Sequence, residues 1–169
     1  SGRVIYLGTF SKCIAPAIRV SYLVLPTHLL LRYRSQTSFY ASTVSRIDQN
    51  ILYQFLAGGY FERHLNRMRA VYKTKHDLLL EQIEPLRERF EIRGEHAGIH
   101  ILLTSRQGES EEQLIQKAEE AGVKVYGLSS YFIHPQHNHR PATVVLGYAS
   151  LSEEQIVEGI RLLMECWGA

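Results

Sequence analysis

Apolar residues alternate with polar breaks along this chain in a way that predicts its elements before any chemistry is considered. Two short apolar runs, residues 4–7 and 20–25, read as buried strands. Pro26-Thr27 closes the second, and Thr27 is placed to cap a short helix through Arg34, with Ser35-Gln-Thr-Ser as the break after it. Val44, Ile47, Ile51 and Phe55 recur at three- and four-residue spacing and predict a helix over 43–56, stopped by Gly58-Gly59. A longer helix is expected over 60–83, with Phe61, Leu65, Met68, Tyr72, Leu79 and Ile83 on its apolar side. Its other face carries Arg63, Arg67, Arg69, Lys73 and Lys75, a charge row that reads as a solvated surface. Pro85 lies just past its end.

The remainder of the chain alternates strand and helix. Residues 90–93 and 98–104 read as strands, and Ser110-Glu-Glu-Gln113 as a capping box opening a helix that ends at Ala121-Gly122. Strands follow over 123–128 and 143–148, separated by a polar loop running to Pro141. Ser152-Glu-Glu-Gln155 opens the last helix, whose stripe is Ile156, Ile160, Leu163 and Trp167. That order predicts a small α+β sandwich, with helices on one face of a largely antiparallel sheet.

Composition narrows the class. With 45% hydrophobic and 21% charged residues, the chain is that of an ordinary globular protein. A net charge of +2 carries no electrostatic case for nucleic acid in these 169 residues. Cys13 and Cys166 form no framework spacing, which points to a reducing, cytoplasmic compartment. Every apolar run falls short of a membrane span. The start, Ser1-Gly2-Arg3, leads almost directly into a strand and looks like a cut from a longer protein. His134, His137 and His139 share one loop without an accompanying acid or cysteine, so no metal is expected there. His96 and His100 would stand roughly 13 Å apart in an extended chain, too far to share an ion.

The chemistry concentrates between the first two strands, where Gly8, Thr9, Ser11, Lys12, Pro16 and Arg19 occur together. A lysine in apolar surroundings is biased toward its neutral, nucleophilic amine, the form that condenses with an aldehyde. Thr9 and Ser11 bring hydroxyls, and Arg19 brings a planar fork suited to phosphate. Those residue types describe a phosphorylated aldehyde, pyridoxal 5′-phosphate (PLP). On residue types alone, a solvated loop with Lys12 and Arg19 in water is an equal reading.

Thr-Phe-Ser-Lys followed seven residues later by Arg, with Pro16 between and a second strand after, resembles the lysine motif of fold-type-I PLP enzymes. The longer run through Cys13-Ile-Ala-Pro-Ala-Ile-Arg-Val-Ser-Tyr is closer still to the aminotransferase-like domain of MocR-type transcription regulators, including the GABA-responsive GabR type. The resemblance implies that Lys12 is the Schiff-base lysine and that Thr9, Ser11 and Arg19 hold the cofactor phosphate. It covers the whole chain and implies α/β plus α+β architecture. Residues 1–57 would be the C-terminal portion of the large PLP-binding domain, and 58–169 the interdomain helix with the small C-terminal domain.

The same resemblance implies a homodimeric full-length protein, an amino-acid-like (GABA-like) amine effector, and DNA contact only through a domain outside these residues. It implies a regulatory role with at most partial transamination chemistry. The alternatives are a fragment of a true aminotransferase and a non-catalytic interaction domain. Ala17 and Ser21, where many of the enzymes carry glycines, favour the regulator; the intact Thr9, Ser11, Lys12 and Arg19 set disfavours loss of the cofactor. One departure stands out. Many family members grip the substrate carboxylate with an arginine in the last small-domain strand, but Thr143-Val-Val-Leu-Gly-Tyr148 has none, and Arg140 in the preceding loop is the nearest substitute.

Overall fold

The computed structural model describes residues 2–96, 98–133 and 141–168. The chain divides into two compact units, Ser1–Arg69 and Ala70–Ala169.

The first unit opens with a hairpin. β1 (Tyr6–Thr9) pairs antiparallel with β2 (Ser21–Val24), setting Gly8 opposite Tyr22. Burial of these strands, expected from their composition, is not observed: Leu7 keeps 75% of its surface exposed and Val24 57%. Among the described residues each strand has only the other as a neighbour, and a two-stranded ribbon buries neither face.

Helix α1 (Thr27–Thr37) runs through the polar break expected to end it. Ser35 Oγ and Thr37 Oγ1 donate to the carbonyls of Arg32 (2.9 Å) and Tyr33 (2.7 Å), satisfying themselves on the helix instead of stopping it. Thr27 is the first helical residue, and Pro26 stands at the N-cap without a side-chain bond. Helix α2 (Arg46–Ala57) starts at Ser45, whose side chain accepts from Asp48 N. Its buried residue is Leu52, 7% exposed, whereas Ile47 of the expected stripe is 74% exposed. Periodicity located an apolar stripe, but tertiary packing covers a different part of the helix.

Helix α3 (Tyr60–Gln82) contains the division between the units. In the second unit a 3₁₀ segment, Glu84–Glu88, carries Pro85 near its start. Among the described residues four strands follow: β3 (Phe90–Arg93), β4 (His100–Ser105), β5 (Tyr126–Gly127) and β6 (Thr143–Gly147). They form an antiparallel sheet in the order β3-β4-β6-β5. Register puts Ile101 opposite Leu146 and Leu103 opposite Val144, so these four share one face. On that face, Leu114 and Ala118 of α4 (Glu111–Glu120) and the whole expected stripe of α5 (Glu153–Trp167) complete one buried cluster. Both helices begin with the expected capping boxes, Ser110 with Gln113 and Ser152 with Gln155.

β4 starts later than its expected run, and β5 is much shorter than its apolar run. Gly98, at φ 87°, lies outside strand geometry, so β4 begins at His100. β5 spans only Tyr126–Gly127: before it Val123 N still bonds to Ala118 O at the end of α4, and after it the chain winds into a 3₁₀ turn, Leu128–Tyr131, held by Glu111. The Glu111 carboxylate accepts from Ser129 N at 3.1 Å and from Thr143 N at 3.3 Å.

A charge triad sits beside this core. Arg89 Nη2 lies 2.9 Å from Glu109 Oε2, an ion pair whose alignment falls outside hydrogen-bond geometry, and Lys117 Nζ lies 2.9 Å from Oε1. Burial pushes the Glu109 carboxyl up, but bonding to Lys117 and attraction to Arg89 outweigh it, and its pKa falls below the usual glutamate range. A carboxyl lowered on folding stabilises the fold above its unfolded pKa, and that contribution is lost as pH falls through the folded value. Glu109→Gln is therefore expected to cost about 1–2 kcal/mol at neutral pH and to flatten the loss of stability as pH falls through and below the ordinary glutamate range. Thermal unfolding across that range measures both; an unchanged acid limb would discount the triad.

Candidate functional site

The loop between β1 and β2 is held from both ends. Phe10 N donates to Val20 O at 2.9 Å, and Ile14 N donates to Phe10 O at 2.9 Å. Thr9 Oγ1 donates to Val20 O at 3.2 Å and accepts from Ser11 N at 3.1 Å. The Tyr22 ring lies across the hairpin over Gly8, where an added Cβ would stand 2.3 Å from Tyr22 Cζ. Any larger residue there would make the Tyr22 ring move aside. Tyr22 in turn packs on Tyr6 and Phe10, with ring centroids 6.0 and 5.4 Å away. Hydrogen bonding to Tyr6, aided by desolvation, raises the Tyr22 phenol pKa above its ordinary value.

The far side of the loop is a 3₁₀ turn, Pro16–Ile18, that ends on Arg19. Arg19 adopts φ 49° and ψ 32°, the one non-glycine residue with positive φ among the described residues. A side-chain-bearing residue pays about 1–2 kcal/mol for that left-handed conformation. The pattern Ala-Ile-Arg-Val carries no signal of it; the turn geometry imposes it.

Thr9, Ser11, Lys12, Arg19, Val20 and Ser21 line one open depression. The four residues expected to bind cofactor are thus brought together on one side of the hairpin. Among the described residues, no hydrogen bond or ion pair engages the Ser11 hydroxyl, the Lys12 ammonium or the Arg19 guanidinium. Two cations and a free hydroxyl, with no carboxylate in the lining, make a setting that an anion neutralises. This donor set fits a phosphate beside a primary amine. Thr9 differs from expectation, since its hydroxyl hydrogen is already committed to Val20 O. It shapes the loop, and it reaches a ligand only by giving up that bond. Lys12 is exposed rather than enclosed by apolar residues, because the ribbon beneath it is covered on neither face.

Arg140 and the loop histidines His134, His137 and His139 lie outside the described residues. His100 is exposed at the start of β4, against Gly147 of β6. Among the described residues, no group of three or more His, Cys, Asp and Glu is disposed to hold a metal, and no helix is long and apolar enough to cross a membrane. Sequence reasoning missed the aromatic support under the loop. Gly8 opposite an aromatic in a short hairpin was the one available sign of it.

Comparison with known proteins places this geometry. No family model matches the chain. It is 43% identical over 166 residues to the HTH-type transcriptional regulator YdeL of Bacillus subtilis, spanning 98% of this chain and 35% of that protein. It is 31% identical over 166 residues to the probable rhizopine catabolism regulatory protein MocR of Rhizobium meliloti, spanning 96% of this chain and 33% of that one. Among solved structures it superimposes with a TM-score of 0.81, at 28% identity, on LysN, the α-aminoadipate aminotransferase of Thermus thermophilus. That match covers 98% of this chain and 42% of LysN, whose crystal holds N-(5′-phosphopyridoxyl)-L-leucine. The chain spans about a third of the length of the curated relatives it matches. It has the fold of the C-terminal part of a fold-type-I aminotransferase, and its resemblance to the aminotransferase-like domain of MocR-type regulators holds over nearly its whole length.

Proposed function

We propose that this chain is part of the PLP-binding, effector-sensing domain of a MocR-type transcription regulator. The observation that carries the reading is the set of unengaged donors, Ser11, Lys12 and Arg19, around one depression. When bound, PLP supplies an electron-accepting ring for chemistry at the carbon bearing an amine. Lys12 provides the primary amine that anchors the aldehyde. Arg19 would hold the phosphate with its planar fork, and Ser11 would donate its hydroxyl to it. Thr9 keeps Ser11 in place through the bond from Ser11 N, and joins the phosphate contacts only if its hydroxyl turns from Val20. In this reading the effector is an amino-acid-like amine, GABA-like ones included, with Arg140 the candidate partner for its carboxylate. The full-length protein is a cytoplasmic homodimer that touches DNA through another domain.

The test is to add PLP to the full-length protein, record its visible absorption, reduce with borohydride and map the label. A pyridoxyl group on Lys12 is the expected result; a label on another lysine ends the assignment. Likeness to LysN keeps a true aminotransferase as the second reading. Sustained turnover of an amine with a keto acid would select it over the regulator.

Arg19 allows charge and backbone strain to be separated. A charge-assisted pair with phosphate is worth about 1.5–3 kcal/mol, so Arg19→Ala is expected to weaken PLP binding roughly ten- to hundredfold. Arg19→Lys should recover only part, lacking the fork. Arg19→Gly should lose the same affinity yet raise stability by up to about 1 kcal/mol, since glycine adopts φ 49° freely. PLP titration and thermal melts of the three variants decide it; unchanged affinity in all of them would leave Arg19 a surface residue.

A further inference from the structure

The first unit is thinly packed, and one line of its ring contacts leads to the candidate loop. Among its described residues Leu52 is the one buried hydrophobic, while Val4, Leu7, Val24, Ile47 and Ile51 are exposed. Half-buried aromatic rings add to it, beside half-buried aliphatics such as Leu29, Leu30 and Val44. Phe61, in the first turn of α3, meets Phe10 edge-on, with centroids 6.1 Å apart and planes at 75°. Phe61 also meets Phe55 of α2 edge-on at 6.3 Å. Phe10 is the residue between Thr9 and Ser11-Lys12, and both its backbone groups are engaged, the N–H with Val20 O and the carbonyl with Ile14 N. Its ring and its main chain therefore set where Ser11 and Lys12 emerge.

We propose that Phe61 is a positioning residue for the Lys12 loop, acting through Phe10 without touching the ligand. The inference rests on the reading of Lys12 and Arg19 as the cofactor-holding pair. An edge-to-face ring pair favours the ordered loop over alternatives in which Phe10 is released, and binding is weakened by whatever fraction of molecules leaves the competent form. Phe61→Leu keeps apolar bulk and loses the ring, whereas Phe61→Tyr keeps the ring. In the full-length protein, Phe61→Leu is expected to raise the PLP dissociation constant about two- to tenfold, the worth of one aromatic pair. It should also speed hydrogen exchange across residues 8–20. Phe61→Tyr should stay near the parent in both. Because Phe10 and Phe61 act as one contact, Phe10→Leu combined with Phe61→Leu should weaken binding by less than the product of the single effects.

Absorbance titration with PLP and exchange mass spectrometry read these outcomes, at a temperature where circular dichroism shows each variant folded. If Phe61→Leu lowers the melting point, the contrast with Phe61→Tyr and the double-variant cycle still decide. Unchanged affinity and exchange in Phe61→Leu, or single effects that simply multiply, overturn the proposal. A parent protein that takes no PLP on Lys12 would instead sink the functional reading, so the two failures are distinguishable.

Discussion

Lys12→Ala is expected to abolish covalent retention of PLP while leaving the fold intact. The chain's other lysines are engaged elsewhere. Lys73 pairs with Asp77, Lys75 donates to Ala149 O, Lys117 pairs with Glu109, and Lys124 lies over the Tyr126 ring. Lys12 is the lysine with no such contact among the described residues, and it shares a depression with Arg19 and Ser11. A residue that is exposed and unpaired contributes little to stability, within about 0.5 kcal/mol. Its loss therefore removes chemistry and spares the structure. Arg19 and Ser11 remain, so weak, reversible phosphate binding should survive. Dialysis after PLP loading, followed by an absorption spectrum and a thermal melt, separates the outcomes. Cofactor retained through dialysis by Lys12→Ala would mean that another group holds the aldehyde.

Trp167→Ala is expected to be the most damaging substitution for stability. Trp167 is 1% exposed, its ring lies 5.0 Å from Phe90, and its indole N–H donates to Leu114 O at 3.0 Å. It thereby ties the end of α5 to α4 and to β3. Truncation of a buried tryptophan costs about 3–5 kcal/mol, through lost burial and the cavity left behind. That is a large share of the roughly 5–15 kcal/mol that holds a domain folded. Trp167→Phe should fall between parent and alanine, keeping a ring against Phe90 and losing the bond to Leu114. Urea unfolding followed by far-ultraviolet circular dichroism measures the series. An alanine variant within about 1 kcal/mol of the parent would show that α5 is held by its other residues.

Both residues stand out in the sequence, for different reasons. The stripe of Ile156, Ile160, Leu163 and Trp167 was readable because a helix repeats its buried face every three to four residues, and all four are buried. The capping boxes at Ser110 and Ser152 were readable because the bonds close within four residues. The loop of Thr9, Ser11, Lys12 and Arg19 stood out as a local cluster of chemistry, and the fold gathers it on one depression. In each case the deciding interactions lie close together along the chain.

What the sequence could not decide depended on partners distant in the chain. Composition marks the β1–β2 residues and Ile47 as apolar, but not what covers them, and in this chain they stay exposed. β5 lost the start of its expected run to the end of α4, where Val123 N bonds back to Ala118 O, and Glu111 holds the turn that follows it through Ser129 N. The Thr9 hydroxyl went to Val20 across the hairpin, and Arg19 took a left-handed turn that its side chain disfavours. A repeat along one element is an intrinsic property of that element. Burial, register and the fate of each hydrogen-bonding group are settled only when other elements compete for the same surface.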